Sequence, residues 1–240
     1  MKEQQKERIR SFFLINFLFL TTYTTSITFK KVNYQDISIS GSNLFSIDEI
    51  VANTSLNFPT PLILVKTTYI EKELKKNLSL ENASVSRQIF PFGLKILIKT
   101  RTPIAYGERI LKGKKITGFV DEDGFFINEK YADKENLKKI SSKVFGWKEN
   151  FRETLSKILN YQKDNDVEFI TITNSPNGFL TLEEKSLKTI LLGFNPKILE
   201  NQLQMINDLK NQIKEKKLLV KIDAIDLTDP NNPRIKVFKP

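Results

Sequence analysis

A chain of 240 residues, 40% hydrophobic and 28% charged, is long enough for one large folded body or two small ones. Its formal charge of +10 is carried by basic residues scattered among acidic ones instead of gathered into a stripe, which argues against a nucleic-acid partner. With no Cys and no His, the chain excludes thiolate and imidazole zinc sites, cysteine nucleophiles, Ser-His-Asp triads and disulfides.

The first element follows a basic tail. Lys2, Lys6, Arg8 and Arg10 precede Ser11 to Ile27, a span without a charged side chain that contains Phe12, Phe13, Leu14, Ile15, Phe17, Leu18, Phe19 and Leu20. As a helix this span is about 26 Å long, and adding Thr28 and Phe29 brings it close to the ~30 Å hydrocarbon core. The reading is a cytoplasmic tail over 1–10 and a single transmembrane helix over 11–29, with a cleaved signal peptide as the alternative. The positive-inside rule then places everything after Lys30 outside the cytoplasm.

From Val32 to Ser40 the chain alternates loosely and reaches a turn at Gly41-Ser42-Asn43. Ser46 and Glu49 make an S-x-x-E capping box for a short helix bearing Ile47, Ile50 and Val51, which Pro59 and Pro61 keep short. Ile70, Leu74 and Leu78 at i, i+4, i+8 predict a second helix from about Thr67 to Asn77. A hairpin follows around Pro91-Phe92-Gly93, with Ala83, Val85 and Ile89 on one face of its first strand and Leu94, Ile96 and Ile98 on one face of its second. Strand, helix, helix, strand, strand within some seventy residues gives two helices covering a three-stranded sheet.

The second body starts at Arg101-Thr102-Pro103, without a flexible linker. Strands at Ile116–Val120 and Phe125–Ile127 meet at Asp121-Glu122-Asp123-Gly124, a tight-turn signal. A mostly helical stretch runs from Phe145 to Tyr161, and Phe169–Thr173, Phe179–Leu182 and Thr189–Leu192 read as a meander. Asn195 as N-cap and Pro196 at the first helical position open a long packed helix bearing Leu199, Leu203, Ile206 and Ile213. The chain closes with an extended run over 218–227, a loop over 228–233, and an apolar-basic alternation from Arg234 to Phe238.

These motifs, in this order, resemble the FtsQ/DivIB family of bacterial cell-division proteins. The residues that carry the resemblance are Ile39-Ser40-Gly41-Ser42-Asn43 before the Ser46 helix, Arg87 to Pro91 ahead of Leu94-Lys95-Ile96, and Arg101-Thr102-Pro103-Ile104-Ala105, similar to E-R-x-P-x-A with Thr100 in place of the acid. Val120-Asp121-Glu122-Asp123-Gly124 resembles V-D-x-x-G, Leu192-Gly193 an L-G pair, and Ile225-Asp226-Leu227 an I-D-L. The resemblance implies an α+β chain: a POTRA domain (β-α-α-β-β) over 30–100, then a mixed β-domain over 101–240 with a partner-binding C-terminal strand. It also implies a non-enzymatic divisome scaffold at the septum of the inner membrane, without cofactors. Its partners would be FtsB- and FtsL-like proteins and, through them, the synthase FtsW with its septal transpeptidase. A POTRA-bearing export or outer-membrane assembly factor is the rival, but it calls for tandem POTRA units or a barrel of many amphipathic strands.

Candidate sites follow from the residues themselves. Asp121, Asp123, Gly124 and Glu129 lack one acidic position of an EF-hand loop and read as a hairpin turn. Nothing brings the carboxylates Asp121, Asp123, Asp226 and Asp229 together as an acid/base pair, so no catalytic residue, metal site or cofactor site is assigned. Trp147, Phe145 and Phe151 read as packing residues. The terminal strand, Arg234, Ile235, Lys236, Val237 and Phe238, is the main candidate. At a sheet edge it would offer unpaired backbone groups for β-augmentation, with Ile235 and Val237 on one face and Lys236 and Phe238 on the other. A strand paired on both sides has the same periodicity, so both readings stand here. Arg87 and Gln88 on the first hairpin are secondary candidates.

Overall fold

In the computed structural model of the chain, which describes residues 2–132, 137, 140–165, 167–215 and 222–237, Lys2–Phe29 wind into one 28-residue helix, α1. No helix among the described residues is long and apolar enough to cross a membrane, which corrects the expected transmembrane helix over 11–29. The reason is compositional: Asn16 interrupts the apolar run, and Thr21, Thr22, Thr24, Thr25 and Ser26 dilute the half that follows Leu20. Several of these polar groups turn back onto the helix. Asn16 Nδ2 donates to Phe12 O, Thr21 and Thr22 donate to Leu18 O, and Thr25 donates to Thr21 O, all within 2.9 Å.

The chain divides into two compact units, Met1–Thr100 and Arg101–Pro240. After α1 the first contains β1 (Lys31–Val32), β2 (Ile37–Ser40), α2 (Ile47–Ala52), β3 (Thr60–Pro61), α3 (Thr67–Asn77), β4 (Asn82–Gln88) and β5 (Gly93–Lys99). The sheet order is β2-β5-β4, with β2 parallel and β4 antiparallel to the central β5, and β1 pairs separately with β3. Both helix signals are realised. Ser46 Oγ accepts from Glu49 N at 3.2 Å while Glu49 Oε2 accepts from Ser46 N at 3.4 Å, a reciprocal cap on α2. The i, i+4, i+8 spacing of Ile70, Leu74 and Leu78 places all three in the core, with Leu94, Ile96 and Ile98 of β5 buried as well. Each such side chain contributes about 1.5–3 kcal/mol. Ile89 departs from the expected face: β4 ends at Gln88, so Ile89 sits in the exposed turn.

The second unit is built on one nine-stranded mixed sheet: β6 (Ala105–Leu111), β7 (Lys114–Val120), β8 (Phe126–Asn128), β9 (Ser142–Phe145), β10 (Phe169–Asn174), β11 (Leu180–Glu184), β12 (Lys188–Gly193), β13 (Ile222–Asp226) and β14 (Arg234–Val237). The spatial order is β14-β13-β12-β11-β10-β9-β6-β7-β8. β10, β11 and β12 form the meander, while β6–β9, β9–β10 and β12–β13 are parallel pairs. Those parallel pairs need crossovers, and α4 (Arg152–Asp164) and α5 (Leu199–Glu215) supply two of them. Leu155, Ile158 and Leu159 of α4 and Leu199, Leu203 and Ile206 of α5 join Val144, Ile172, Leu182, Ile190 and Ile225 in one core.

The helix expected from Phe145 begins later, because Ser142–Phe145 are β9 and α4 starts only at Arg152. Gly146 makes the break at φ +71°, and a Cβ there would lie 1.9 Å from Asn174 O. Gly146→Ala is therefore expected to destabilise the second unit by at least about 1–3 kcal/mol. Trp147 is the single tryptophan and is buried beside this turn, so denaturant unfolding followed by its fluorescence reads the effect directly. An unchanged midpoint would mean the turn relaxes freely.

Candidate partner-binding edge

The residues before β14 prepare its position. Leu227 donates its backbone N–H to Leu191 O at 2.9 Å, extending β13 along β12, and the buried Gln202 amide of α5 donates to both Leu192 O and Leu227 O at 2.7 Å. One side chain thus ties the helix to the ends of two strands. Asp226 accepts from the Thr228 hydroxyl at 2.7 Å and from the Thr228 N–H at 3.0 Å, and these bonds hold its carboxyl below the usual carboxylate range, with Arg234 adding in the same direction. Asp229 then organises the return loop, its Oδ1 accepting from Asn231 N at 3.0 Å and its carbonyl from Asn232 N at 3.1 Å.

The chain that emerges from this loop pairs with β13 antiparallel and occupies one end of the nine-stranded sheet. Ile235 stands opposite Ile225, Lys236 opposite Ala224 and Arg234 opposite Asp226, with an irregularity in register between Ile222 and Ala224. Across β10 to β14 the row Ile172, Leu182, Ile190, Ile225 and Ile235 is in register. The first four are fully buried, whereas Ile235 is 47% exposed and Val237 is 42% exposed. The core row runs out at the edge with its last members uncovered. On the opposite face Lys236 is in register with Ala224, Thr189, Glu183 and Thr171, and its Nζ meets Asp223 Oδ2 at 3.1 Å. Among the described residues no strand pairs with the outer side of β14.

The two sequence alternatives for this strand differ in what lies beyond it, and the structure places Arg234, Ile235, Lys236 and Val237 on the outermost strand. Phe238 lies outside the described residues. Arg87 and Gln88 fall in the other unit, at the end of β4. Arg87 Nη2 donates to Val65 O at 2.6 Å, and Gln88 is half-buried opposite Gly93. β4 is also an edge, yet α3 guards it: Glu71 Oε1 accepts the Val85 N–H at 2.8 Å.

Asp121 organises the turn that holds Asp123. The Asp121 carbonyl accepts from Gly124 N at 3.0 Å and its carboxylate from Phe125 N at 2.7 Å, which closes a turn. The described residues contain no group of three or more acidic side chains able to hold a metal ion. Trp147 and Phe151 are buried in the core and Phe145 is half-buried. Gln202 had no sequence signal as an organising residue, since a lone polar residue in an amphipathic helix looks like any solvent-facing one.

A family model described as POTRA domain, FtsQ-type, matches residues 32–101, from β1 to the first residue of the second unit. No curated protein matches the chain.

Proposed function

Starting from a chain that carries an FtsQ-type POTRA domain, and with it an FtsQ/DivIB-like family assignment, we propose that it is a cell-division scaffold that binds FtsB- and FtsL-like proteins outside the cytoplasm and reaches FtsW and the septal transpeptidase through them. The FtsQ-type description of the domain matched over residues 32–101 supports a division-related reading. The proposed place of action is the septum, at the inner membrane. Attachment there is through the exposed apolar stretch Phe12–Leu20 of α1, without a crossing of the bilayer.

The observation that carries the partner-binding reading is the edge position of β14 with Ile235 and Val237 uncovered. A strand of a second protein adds to the outer side of β14 through main-chain bonds, and its alternate apolar side chains continue the row from Ile225. Lys236 and Arg234 on the other face favour an acidic flank in the partner.

The test is binding of an FtsB-like peptide to the purified chain. Val237→Pro removes a ladder donor and Ile235→Asp breaks the apolar row; each is expected to weaken binding at least tenfold while Trp147 fluorescence stays native. Wild-type affinity in both variants would remove β14 from the site.

A further inference from the structure

The most exposed large apolar side chain among the described residues lies far from β14 in sequence: Phe90, at the β4–β5 turn, is 95% exposed. It is not alone. Ile89 beside it, Ile63 and Leu64 in the short 3-10 turn after β3, and Phe29 at the end of α1 are also exposed. Three contacts draw these segments to one place. Lys30, the first residue after α1, accepts from Leu62 N through its carbonyl at 3.2 Å, and its Nζ lies 4.6 Å from the centre of the Phe92 ring. Arg87, just before the turn, donates to Val65 O just after the 3-10 segment. The hairpin tip and the 3-10 turn are thereby both fastened at the C-terminal end of α1.

The charges around this apolar group have one dominant sign. Lys30, Lys31, Lys66 and Arg87 are all exposed at its margin. The acid close by is Asp36, whose carbonyl abuts Gly93 and whose carboxylate accepts the Asn33 N–H at 2.8 Å. Exposed aromatic and aliphatic side chains flanked by lysine and arginine suit the headgroup region of an anionic bilayer, where apolar groups enter the acyl boundary and cations meet lipid phosphates. Exposed apolar side chains gathered in one region with a polar rim mark an interaction site, whereas singly scattered ones do not.

We propose that the first unit has a membrane-docking surface formed by Phe90 and Ile89 of the hairpin tip with Ile63 and Leu64, and that it seats on the anionic lipid surface from which α1 departs. The inference rests on the attachment of α1 to a bilayer proposed above. Its consequence is orientational: with α1 and the tip both engaged, the domain stands on the membrane at two points instead of swinging on one.

The test uses the full chain reconstituted in vesicles of phosphatidylcholine and phosphatidylglycerol containing bromine-labelled lipids, which quench tryptophan only at bilayer depth. Two separate variants carry the probes: Phe90→Trp reports the tip and Leu18→Trp reports α1, with wild-type emission from the buried Trp147 subtracted. The tip probe is expected to lose most of its emission. The loss should shrink several-fold without the anionic lipid, since each lysine near such a surface is worth about fivefold. Adding Ile89→Ser should reduce the seated population further, roughly fivefold to tenfold. Quenching of the α1 probe with the tip probe unquenched overturns the docking surface and leaves the attachment of α1 standing. Quenching of neither overturns both, whereas quenching of the tip probe alone supports the surface and removes α1 as the attachment.

Discussion

Arg101→Ala is expected to lower the stability of the second unit by about 3–5 kcal/mol, the range for stranding a buried charge. The Arg101 guanidinium is buried and hydrogen-bonded to Asp121, which is itself 4% exposed, and Asp123 Oδ2 lies 3.7 Å away. Its plane also covers the Phe125 ring, 3.6 Å from the ring centre, with Arg152 at 3.8 Å. Phe125 is thus held between two cations. Gly124, at φ +75°, brings the turn so close to α4 that a Cβ would lie 2.3 Å from Arg152 O, and its carbonyl accepts the Trp147 indole N–H at 2.8 Å. The two motifs that start the second unit are therefore one structure: the arginine of the first neutralises the aspartate of the second. Removing the arginine alone leaves that aspartate in a dry site, whereas Arg101→Met with Asp121→Asn removes both charges and should cost clearly less.

The sign of the pH dependence separates this account from simple loss of packing. Burial pushes the Asp121 carboxyl above its ordinary value, with the Arg101 hydrogen bond, the Phe125 N–H and the Arg101 charge pulling the other way and Asp123 adding to the rise. A carboxyl raised in the folded state contributes stability that is present below the unfolded pKa of 3.8 and is lost as pH rises through the folded value. Without Arg101 that loss grows. The deficit of Arg101→Ala, followed by Trp147 fluorescence in denaturant, should be largest at neutral pH and shrink in acid, where Asp121 is protonated and needs no counter-charge. A deficit independent of pH would mean that the side chain acts through its contact with Phe125 alone.

What was legible in the sequence was local. The i, i+4, i+8 spacing of Ile70, Leu74 and Leu78 gave α3 its bounds, Thr67–Asn77, because a helix folds on neighbours in sequence. Ser46 with Glu49, and Asp-Gly at 123–124, likewise carry their own hydrogen-bond partners within four residues. What escaped depends on distant partners. β1 and β3 are two residues each and exist only because they pair with one another. β9 carries no strand signal of its own, because its pairing with β6 and β10 is parallel and non-local, and its last residue, Phe145, falls in the stretch that reads as helical. Ile89 has the period of β4 but lies beyond its end, and α1 reads as apolar until its threonines are counted. For the candidate edge, alternation showed a strand from Arg234 onward but could not show on which side its neighbour lies; that is a property of the sheet order.

The same limit hid Glu184, whose loss is expected to be as severe as that of Arg101. In sequence it belongs to a charged Glu-Glu-Lys turn between β11 and β12 and looks solvated. In the fold it is only 1% exposed. Its Oε2 accepts from the backbone N–H groups of Ser186 at 2.6 Å and Leu187 at 2.8 Å, the Ser186 hydroxyl donates to the same carboxylate, and Lys210 of α5 stands 3.3 Å from Oε1. One carboxylate caps the turn and fastens the helix to the sheet. Glu184→Ala strands the two turn N–H groups of Ser186 and Leu187 and removes the carboxylate beside Lys210, so about 2–6 kcal/mol should be lost at pH 7. Burial pushes the Glu184 carboxyl up, but the Leu187 and Ser186 donors and Lys210 outweigh it, and the net direction is down from 4.5. A carboxyl lowered in the folded state contributes stability that is complete above the unfolded pKa and disappears as pH falls through the folded value. The gap between wild type and Glu184→Ala should accordingly be constant above about pH 5 and close progressively in acid, because wild type then gives up the advantage that the variant never had. Arg101→Ala and Glu184→Ala thus lose their deficits in acid for opposite reasons: there the first variant is relieved of a stranded anion, whereas here wild type loses a satisfied one. Wild type followed alone distinguishes them, since protonating Glu184 destabilises the native fold and protonating Asp121 does not.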